Sequence, residues 1–225
     1  MAVIYIVMQI RHPFLENQQD YFLSITCAFV NLLFASLAVV TTCFRLAPIR
    51  KAPGIQPRVS ALAGSFLSLA LAFLPMTPLD HGVIGLALLM MIVGTALSFY
   101  VLLCLGTSFS VMAEARRLVT GGPYRVVRHP LYLCEMTAIL GALILHFSEL
   151  AAILIAVQFV MQFRRMANEE AVLRSTFPEY AAYAAAVPRF IPFGRRLTGL
   201  GRDFLGDLTV PGRRFPSPLP GMVCD

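Results

Sequence analysis

Phe22–Phe44 runs for 23 residues without a charged side chain, and Val83–Leu105 does so again. At 1.5 Å per residue such a helix is about 34 Å long, enough to cross a hydrocarbon core of roughly 30 Å. In water these segments would need complete burial, and the rest of the chain lacks the charge to provide it. Charged residues make up 13% of the sequence and hydrophobic ones 58%, where a soluble domain carries about 25% charged. The membrane is therefore the expected setting. Val59–Leu79 is a third uncharged run, in which Pro75 and Pro78 are expected to end or kink the helix.

Two further apolar stretches, residues 131–147 and 149–164, are shorter and carry Glu135, His146, Gln158 and Gln162. They read as a tight helical hairpin turning at Ser148. Their polar members should face protein or a cavity, because a bare charge in hydrocarbon is costly. The expected fold is all-α: a polytopic membrane protein with about five transmembrane helices, at 22–44, 59–79, 83–105, 131–147 and 149–164.

The basic residues alternate along this scheme. Four lie between the first and second spans (Arg45, Arg50, Lys51, Arg58) and four between the third and fourth (Arg116, Arg117, Arg125, Arg128). Nine follow Phe163, and the other two connections have none. The positive-inside rule then predicts an outside N-terminus and a cytosolic C-terminus. The net charge of +6 is thus mostly topology, and no nucleic-acid partner is expected. No signal peptide is expected, since a basic stretch followed by a small-residue cleavage site is lacking. Four of the five cysteines sit in or beside apolar runs and read as small core residues. Cys224 lacks the spacing of a prenylation signal.

Beyond the last span, 164–186 is expected to be an amphipathic surface helix broken at Pro178. Met166, Val172, Leu173 and Phe177 form its apolar side, and Glu169, Glu170 and Arg174 its polar side. Residues 1–193 then form one membrane-embedded domain with a catalytic core at 106–193. Residues 194–225, rich in Gly, Pro and Arg, are expected to be a flexible cytosolic tail.

The chemistry concentrates at 118–136. Gly121-Gly122-Pro123 makes a turn, and Tyr124, Arg125, Arg128, His129 and Tyr132 follow within nine residues. Pro130 suits the first turn of a helix, where its missing N–H costs nothing. Free backbone donors at that terminus favour an anion. An equally available reading makes Arg128, His129 and Tyr132 anchors at the headgroup level. Arg165 and Glu169, four apart, share one helical face. They form either a simple salt bridge or two halves of a site, a cation for an anionic substrate and a carboxylate for a cofactor. No metal-ligand spacing or nucleotide-binding glycine fingerprint is present.

Leu118-Val119-Thr120-Gly121-Gly122-Pro123-Tyr124 followed by Arg128-His129-Pro130-Leu131-Tyr132 resembles the cofactor motif of the isoprenylcysteine carboxyl methyltransferase family. A second block, Glu169-Glu170, Leu173, Phe177, Tyr180, Tyr183 and Val187-Pro188, resembles that family's carboxy-terminal element. Together the similarity covers about residues 85–193. It implies S-adenosylmethionine bound in a cytosolic pocket closed by the carboxy-terminal helices. It also implies a lipophilic or lipidated substrate entering from the bilayer. By position, Leu118, Val119, Tyr124, His129, Pro130, Leu131, Tyr132 and Glu169 would bind the cofactor. Arg165 would be the catalytic residue that addresses the substrate carboxylate. The sequence departs from the family pattern at Cys134, where many members have glycine, in its lack of tryptophan, and in its unmatched amino-terminal third.

The leading expectation is an S-adenosylmethionine-dependent methyltransferase acting on an isoprenyl-type carboxylate. A phospholipid or lipid-amine N-methyltransferase is the alternative within the class, and it requires a base, with Glu169 or His129 as candidates. An NADPH-dependent membrane reductase of similar architecture is the alternative outside it, although no extra arginines suited to the 2′-phosphate stand out. A small carrier that relays protons through Glu135 and His146 is a further one.

Overall fold

The computed structural model describes residues 18–190. The expected tail at 194–225 and the start of the chain lie outside the described residues. Helix α1 is Gln18–Cys43. A short strand β1, Arg50–Lys51, leads to α2, Gln56–Phe66, which tightens into a 3₁₀ helix at Leu67–Phe73. Helix α3 is His81–Leu105 and strand β2 is Glu114–Ala115. Helices α4, Pro130–Leu145, α5, Glu149–Thr176, and α6, Tyr180–Ala186, complete the described chain. The fold is helical apart from β1 and β2, which pair antiparallel with Arg50 opposite Ala115 and Lys51 opposite Glu114.

Three segments, Gln19–Cys43, His81–Ser108 and Glu149–Thr176, are long and apolar enough to cross a membrane. Their outward faces carry Phe22, Phe29, Val39, Leu86, Leu89, Ile153 and Val160, all exposed. Such a belt suits lipid and would be poorly tolerated in water. The other two expected spans differ from expectation. Residues 59–79 do not make one α-helix: Leu74, placed before Pro75, is forced to extended backbone (φ −88°, ψ 148°). The preceding turn tightens to 3₁₀ to meet it. The α4 helix has 16 residues, roughly 24 Å at 1.5 Å each, short of a full core.

A second correction concerns 164–186. No break separates the last span from the surface helix, since α5 continues to Thr176 through Arg164–Ala171, a run free of glycine and proline. Its expected polar side turns inward at Glu170, which is buried. The expected interruption at Pro178 is present, between α5 and α6.

Caps mark the ends. Asp80 accepts a hydrogen bond from the Gly82 N–H at the start of α3, and Ser148 does the same for Ala151 at the start of α5. Gly106 closes α3 at φ +53°, a conformation that a side chain would strain. The amino-terminal third, unmatched in sequence, is packed into the fold. Cys27 of α1 joins Ala87, Leu88 and Met91 of α3 and Leu145 of α4 in one core cluster.

Helices α3 and α4 approach each other closely. A Cβ at Gly141 would stand 2.5 Å from the Ala87 carbonyl oxygen and 2.8 Å from Met91 Cγ. Small residues at such crossings let backbones meet. Gly141→Ala raises helix propensity by about 1 kcal/mol, but the clash with backbone should outweigh it at about 1–3 kcal/mol. A net fall in the thermal unfolding midpoint in lipid nanodiscs is expected. A rise would show that α3 and α4 yield without cost.

Candidate active site

The cavity forms where the loop after α3 meets the first turn of α4 and the last turns of α5. Leu105, Ser108, Phe109 and Ser110 begin its wall, and Arg116, Arg117, Leu118 and Val119 continue it. Tyr124, His129, Leu131 and Tyr132 come from the next turn, Arg165 and Glu169 from α5, and Tyr180 and Tyr183 from α6. Eight of the nine expected site residues therefore share one cavity. Pro130 is the exception: it is buried in the first turn of α4, and positions the others.

Local sequence explains the placement. Gly122 adopts φ +55°, which allows Gly122–Arg125 to wind as a short 3₁₀ helix. That turn buries Tyr124 against Val101, Leu102, Phe109 and Leu131, forming the cavity floor. Tyr183 Oη then donates to the Tyr124 carbonyl at 2.8 Å. Burial pushes the Tyr124 phenol well above its usual pKa and also raises those of Tyr180 and Tyr183. All three remain neutral donors near pH 7 and cannot act as bases there.

Arg165 and Glu169 do not form the simple salt bridge. Glu169 Oε2 accepts from Tyr132 Oη at 2.7 Å. Arg165 stacks on the Tyr132 ring at 4.9 Å, donates to Ser65 Oγ at 3.0 Å and lies 3.5 Å from the Ser110 carbonyl. It is 5% exposed, and no described carboxylate lies within ion-pair distance of it. Tyr132 thus separates the two charges and leaves each facing the cavity.

Glu170 has a different role, which the sequence reading missed. Its Oε1 lies 3.1 Å from Arg128 Nη1 and 3.0 Å from His129 Nε2. Arg189 donates through Nε at 2.9 Å and Nη2 at 2.7 Å to its two oxygens. Hydrogen bonding to Glu170 raises the Arg189 pKa. Two backbone bonds run alongside, from Arg128 N to Pro188 O at 2.9 Å and from His129 N to Arg189 O at 3.4 Å. This knot ties segment 187–190, α5 and the start of α4 together. His129 is therefore held by a carboxylate, not displayed as a free base. The anchor reading of Arg128 and His129 accounts for neither contact.

Arg116 and Arg117 were also missed. Counted as topology charges in the sequence, they line the cavity. Deeper in the bundle, Glu135 accepts from Gln162 Nε2 at 3.1 Å, and Gln158 Nε2 donates to the Gly64 carbonyl at 3.3 Å. These bonds link α2, α4 and α5 as helix-packing glue. Among the described residues no three His, Cys, Asp or Glu side chains gather to hold a metal ion.

Residues 86–175 match the isoprenylcysteine carboxyl methyltransferase (ICMT) family. The chain is 40% identical over 76 residues to the cobalt-zinc-cadmium resistance protein CzcN of Cupriavidus metallidurans, covering 33% of this chain and 35% of that one. It is 35% identical over 80 residues to the nickel-cobalt-cadmium resistance protein NccN of Alcaligenes xylosoxydans xylosoxydans, covering 35% and 38%. It is 33% identical over 113 residues to protein-S-isoprenylcysteine O-methyltransferase B of Arabidopsis thaliana, covering 47% and 57%. The matched stretches span between about a third and somewhat over half the length of these relatives.

Proposed function

Because residues 86–175 match the isoprenylcysteine carboxyl methyltransferase family, we propose that this protein methylates a carboxylate on a lipophilic, isoprenyl-type substrate, using S-adenosylmethionine. The observation that carries the reading is the buried Arg165 without a carboxylate partner, on the same cavity wall as Glu169. A buried cation with no carboxylate in ion-pair contact is suited to an anionic acceptor.

The donor set fits the cofactor. Glu169 offers a carboxylate to its ammonium or ribose hydroxyls, and Leu118, Val119 and Leu131 offer apolar surface to its base. When bound, the cofactor supplies a methyl group activated by its sulfonium. The chain's own tasks are orientation and exclusion of water. A carboxylate acceptor is ionised at neutral pH and needs no base. Arg165 holds it by charge-assisted hydrogen bonds, and the Tyr132 ring fixes the guanidinium. An amine acceptor would require a base, for which Glu169 and His129 remain the candidates. The free volume of the cavity is about 60 Å³, below the roughly 300 Å³ of a small-molecule site, so ligand entry requires its walls to part.

The membrane frame follows the same reading. At roughly 42 Å by helical rise, α5 crosses a core and extends its last turns, with Arg165–Arg174, to the cytosolic interface. α2 with its 3₁₀ extension, and the 16-residue α4, would be two shorter crossings that a locally thinned bilayer accommodates in a five-span, multi-pass protein.

Glu169→Ala is expected to weaken S-adenosylmethionine binding by about 10–100-fold, the range of a charge-assisted hydrogen bond. Isothermal titration of the purified protein checks it. Unchanged affinity in folded protein would remove Glu169 from the cofactor site. Titration of the wild type with NADPH tests the reductase alternative; binding of NADPH without S-adenosylmethionine would sink the methyltransferase reading.

A further inference from the structure

A second cavity, of about 540 Å³, forms between residues 50–57 and the last turns of α5. It shares no lining residue with the active-site cavity. Arg50, Lys51 and Gln56 come from one wall, and Asn168, Ala171 and Ser175 from the other. The volume lies within the roughly 300–1,000 Å³ of small-molecule sites. Gly54 turns the chain between β1 and α2 at φ +90°, a conformation that glycine tolerates best. A Cβ there would meet nothing within 4 Å, so the turn borders open space.

The charge of this cavity has one sign. Among the described residues of its lining, Arg50 and Lys51 are the charged ones, and no carboxylate is present. Arg50 Nη1 donates to the Ser175 carbonyl at 2.8 Å, in the last turn of α5, where the helix dipole favours a cation. That bond fixes the guanidinium and engages one of its five donors. Lys51 Nζ stands 3.6 Å from Glu114 Oε1, and its side chain is 66% exposed, so the attraction is screened by solvent. The first turn of α2 has no side-chain cap, which adds partial positive charge to the same wall.

The setting selects the anion. The first apolar span ends at Cys43, and α2 begins the return at Gln56. Between them Phe44, Ile49 and Ile55 are exposed, interleaved with Arg45, Arg50 and Lys51. Apolar side chains beside cations at the end of a span suit the level where acyl chains meet headgroups. A small soluble anion would use the cations and leave the isoleucines in water.

We propose that this cavity binds the headgroup of an anionic phospholipid, with its phosphate on Arg50 and Lys51 and its acyl chains along Ile49 and Ile55. The lipid bridges the β1 segment to the helix that carries Arg165 and Glu169. The proposal does not depend on the reaction assigned to the other cavity.

The test is native mass spectrometry of the purified chain in detergent, titrated with phosphatidylglycerol, phosphatidylcholine or glycerol 3-phosphate. The first phosphatidylglycerol should bind about 5–30-fold more tightly than phosphatidylcholine, the range for one or two cations at a membrane surface. The double variant Arg50→Gln, Lys51→Gln should lose that preference. The double variant Arg45→Gln, Arg58→Gln removes the same charge from neighbours outside the lining and should keep it. Because Arg50 also holds the end of α5, Ala171→Phe supplies a variant that fills the cavity and retains both cations. It too should weaken phosphatidylglycerol binding. No preference in the wild type overturns the proposal, as does equal loss in the Arg45/Arg58 variant, which marks diffuse attraction. Unchanged binding in Ala171→Phe places the lipid elsewhere. Glycerol 3-phosphate binding as tightly as the lipid gives the site to a free phosphate instead.

Discussion

Replacing Arg165 by leucine is expected to lower kcat/KM for methyl transfer by about 10²–10³-fold, the range for losing one preorganised charge contact or misplacing a reactant by an ångström. Affinity for the methyl donor should stay within a few-fold. The split follows from the geometry. Glu169 keeps its hydrogen bond to Tyr132 without help from Arg165, so the cofactor wall survives. The acceptor, however, loses the cation that fixes its carboxylate. Leucine also relieves burial of an unpaired charge, so the variant should fold; the contacts to Ser65 and Ser110 and the stack on Tyr132 are lost. Arg165→Lys keeps the charge but neither the planar fork nor the stack on Tyr132, and should recover only part of the rate. Steady-state kinetics paired with donor titration read both quantities. Equal loss of donor binding and rate would make Arg165 a structural residue.

Glu170→Gln should be the most destabilising substitution at the site. Glu170 is 3% exposed and takes hydrogen bonds from His129 and Arg189 as well as an ion pair from Arg128. Removing its charge leaves the Arg128 guanidinium without its counter-charge and weakens the hydrogen bond to His129, a loss of about 3–5 kcal/mol. Arg189 contributes less, because its side chain is half exposed. For a chain of this size about 3 kcal/mol corresponds to a fall in Tm of roughly 6–12 °C. Segment 187–190 should also become sensitive to protease before the helices do. An unchanged melting curve would mean that the backbone bonds from Arg128 and His129 suffice to hold the segment.

The two effects fall on adjacent residues, and the sequence explains why they are hard to tell apart beforehand. Successive positions on a helix point about 100° apart. Glu169 therefore faces the cavity while Glu170 faces the segment beyond α6. The sequence pattern identified the pair but not the division of labour, because Arg189 and Arg128 reach Glu170 from 19 and 42 residues away. Spacing along one helix cannot reveal partners on others.

Elements with strong local causes were legible. The uncharged runs gave α1 and α3, Pro130 marked the start of α4, Ser148 the turn before α5, and Pro178 the break before α6. Residues 59–79 failed because hydropathy reports burial and not helix type, so it shows neither the change to 3₁₀ at Leu67 nor the extended backbone that Pro75 imposes on Leu74. The extent of α5 was missed because charge at Arg164 was taken as a boundary. A helix leaving the bilayer has no reason to stop there when its next residues favour helix. Arg116 and Arg117 were assigned to topology because a positive-inside count records how many guanidiniums lie on a side and not where they point. Of the site, the clustering of polar groups at 118–136 and the spacing of Arg165 and Glu169 were readable. The insertion of Tyr132 between Arg165 and Glu169, on which the proposed chemistry depends, required coordinates.

The central claim is that this cavity moves a methyl group to a lipophilic carboxylate. The direct test incubates the protein, reconstituted in lipid vesicles, with methyl-labelled S-adenosylmethionine and a membrane lipid extract, followed by mild base. Label should enter the lipid fraction and be released by base as methanol, as a methyl ester requires, and Arg165→Leu should abolish it. Label that enters lipid but resists base would assign an amine acceptor instead, and no transfer despite donor binding would contradict the account.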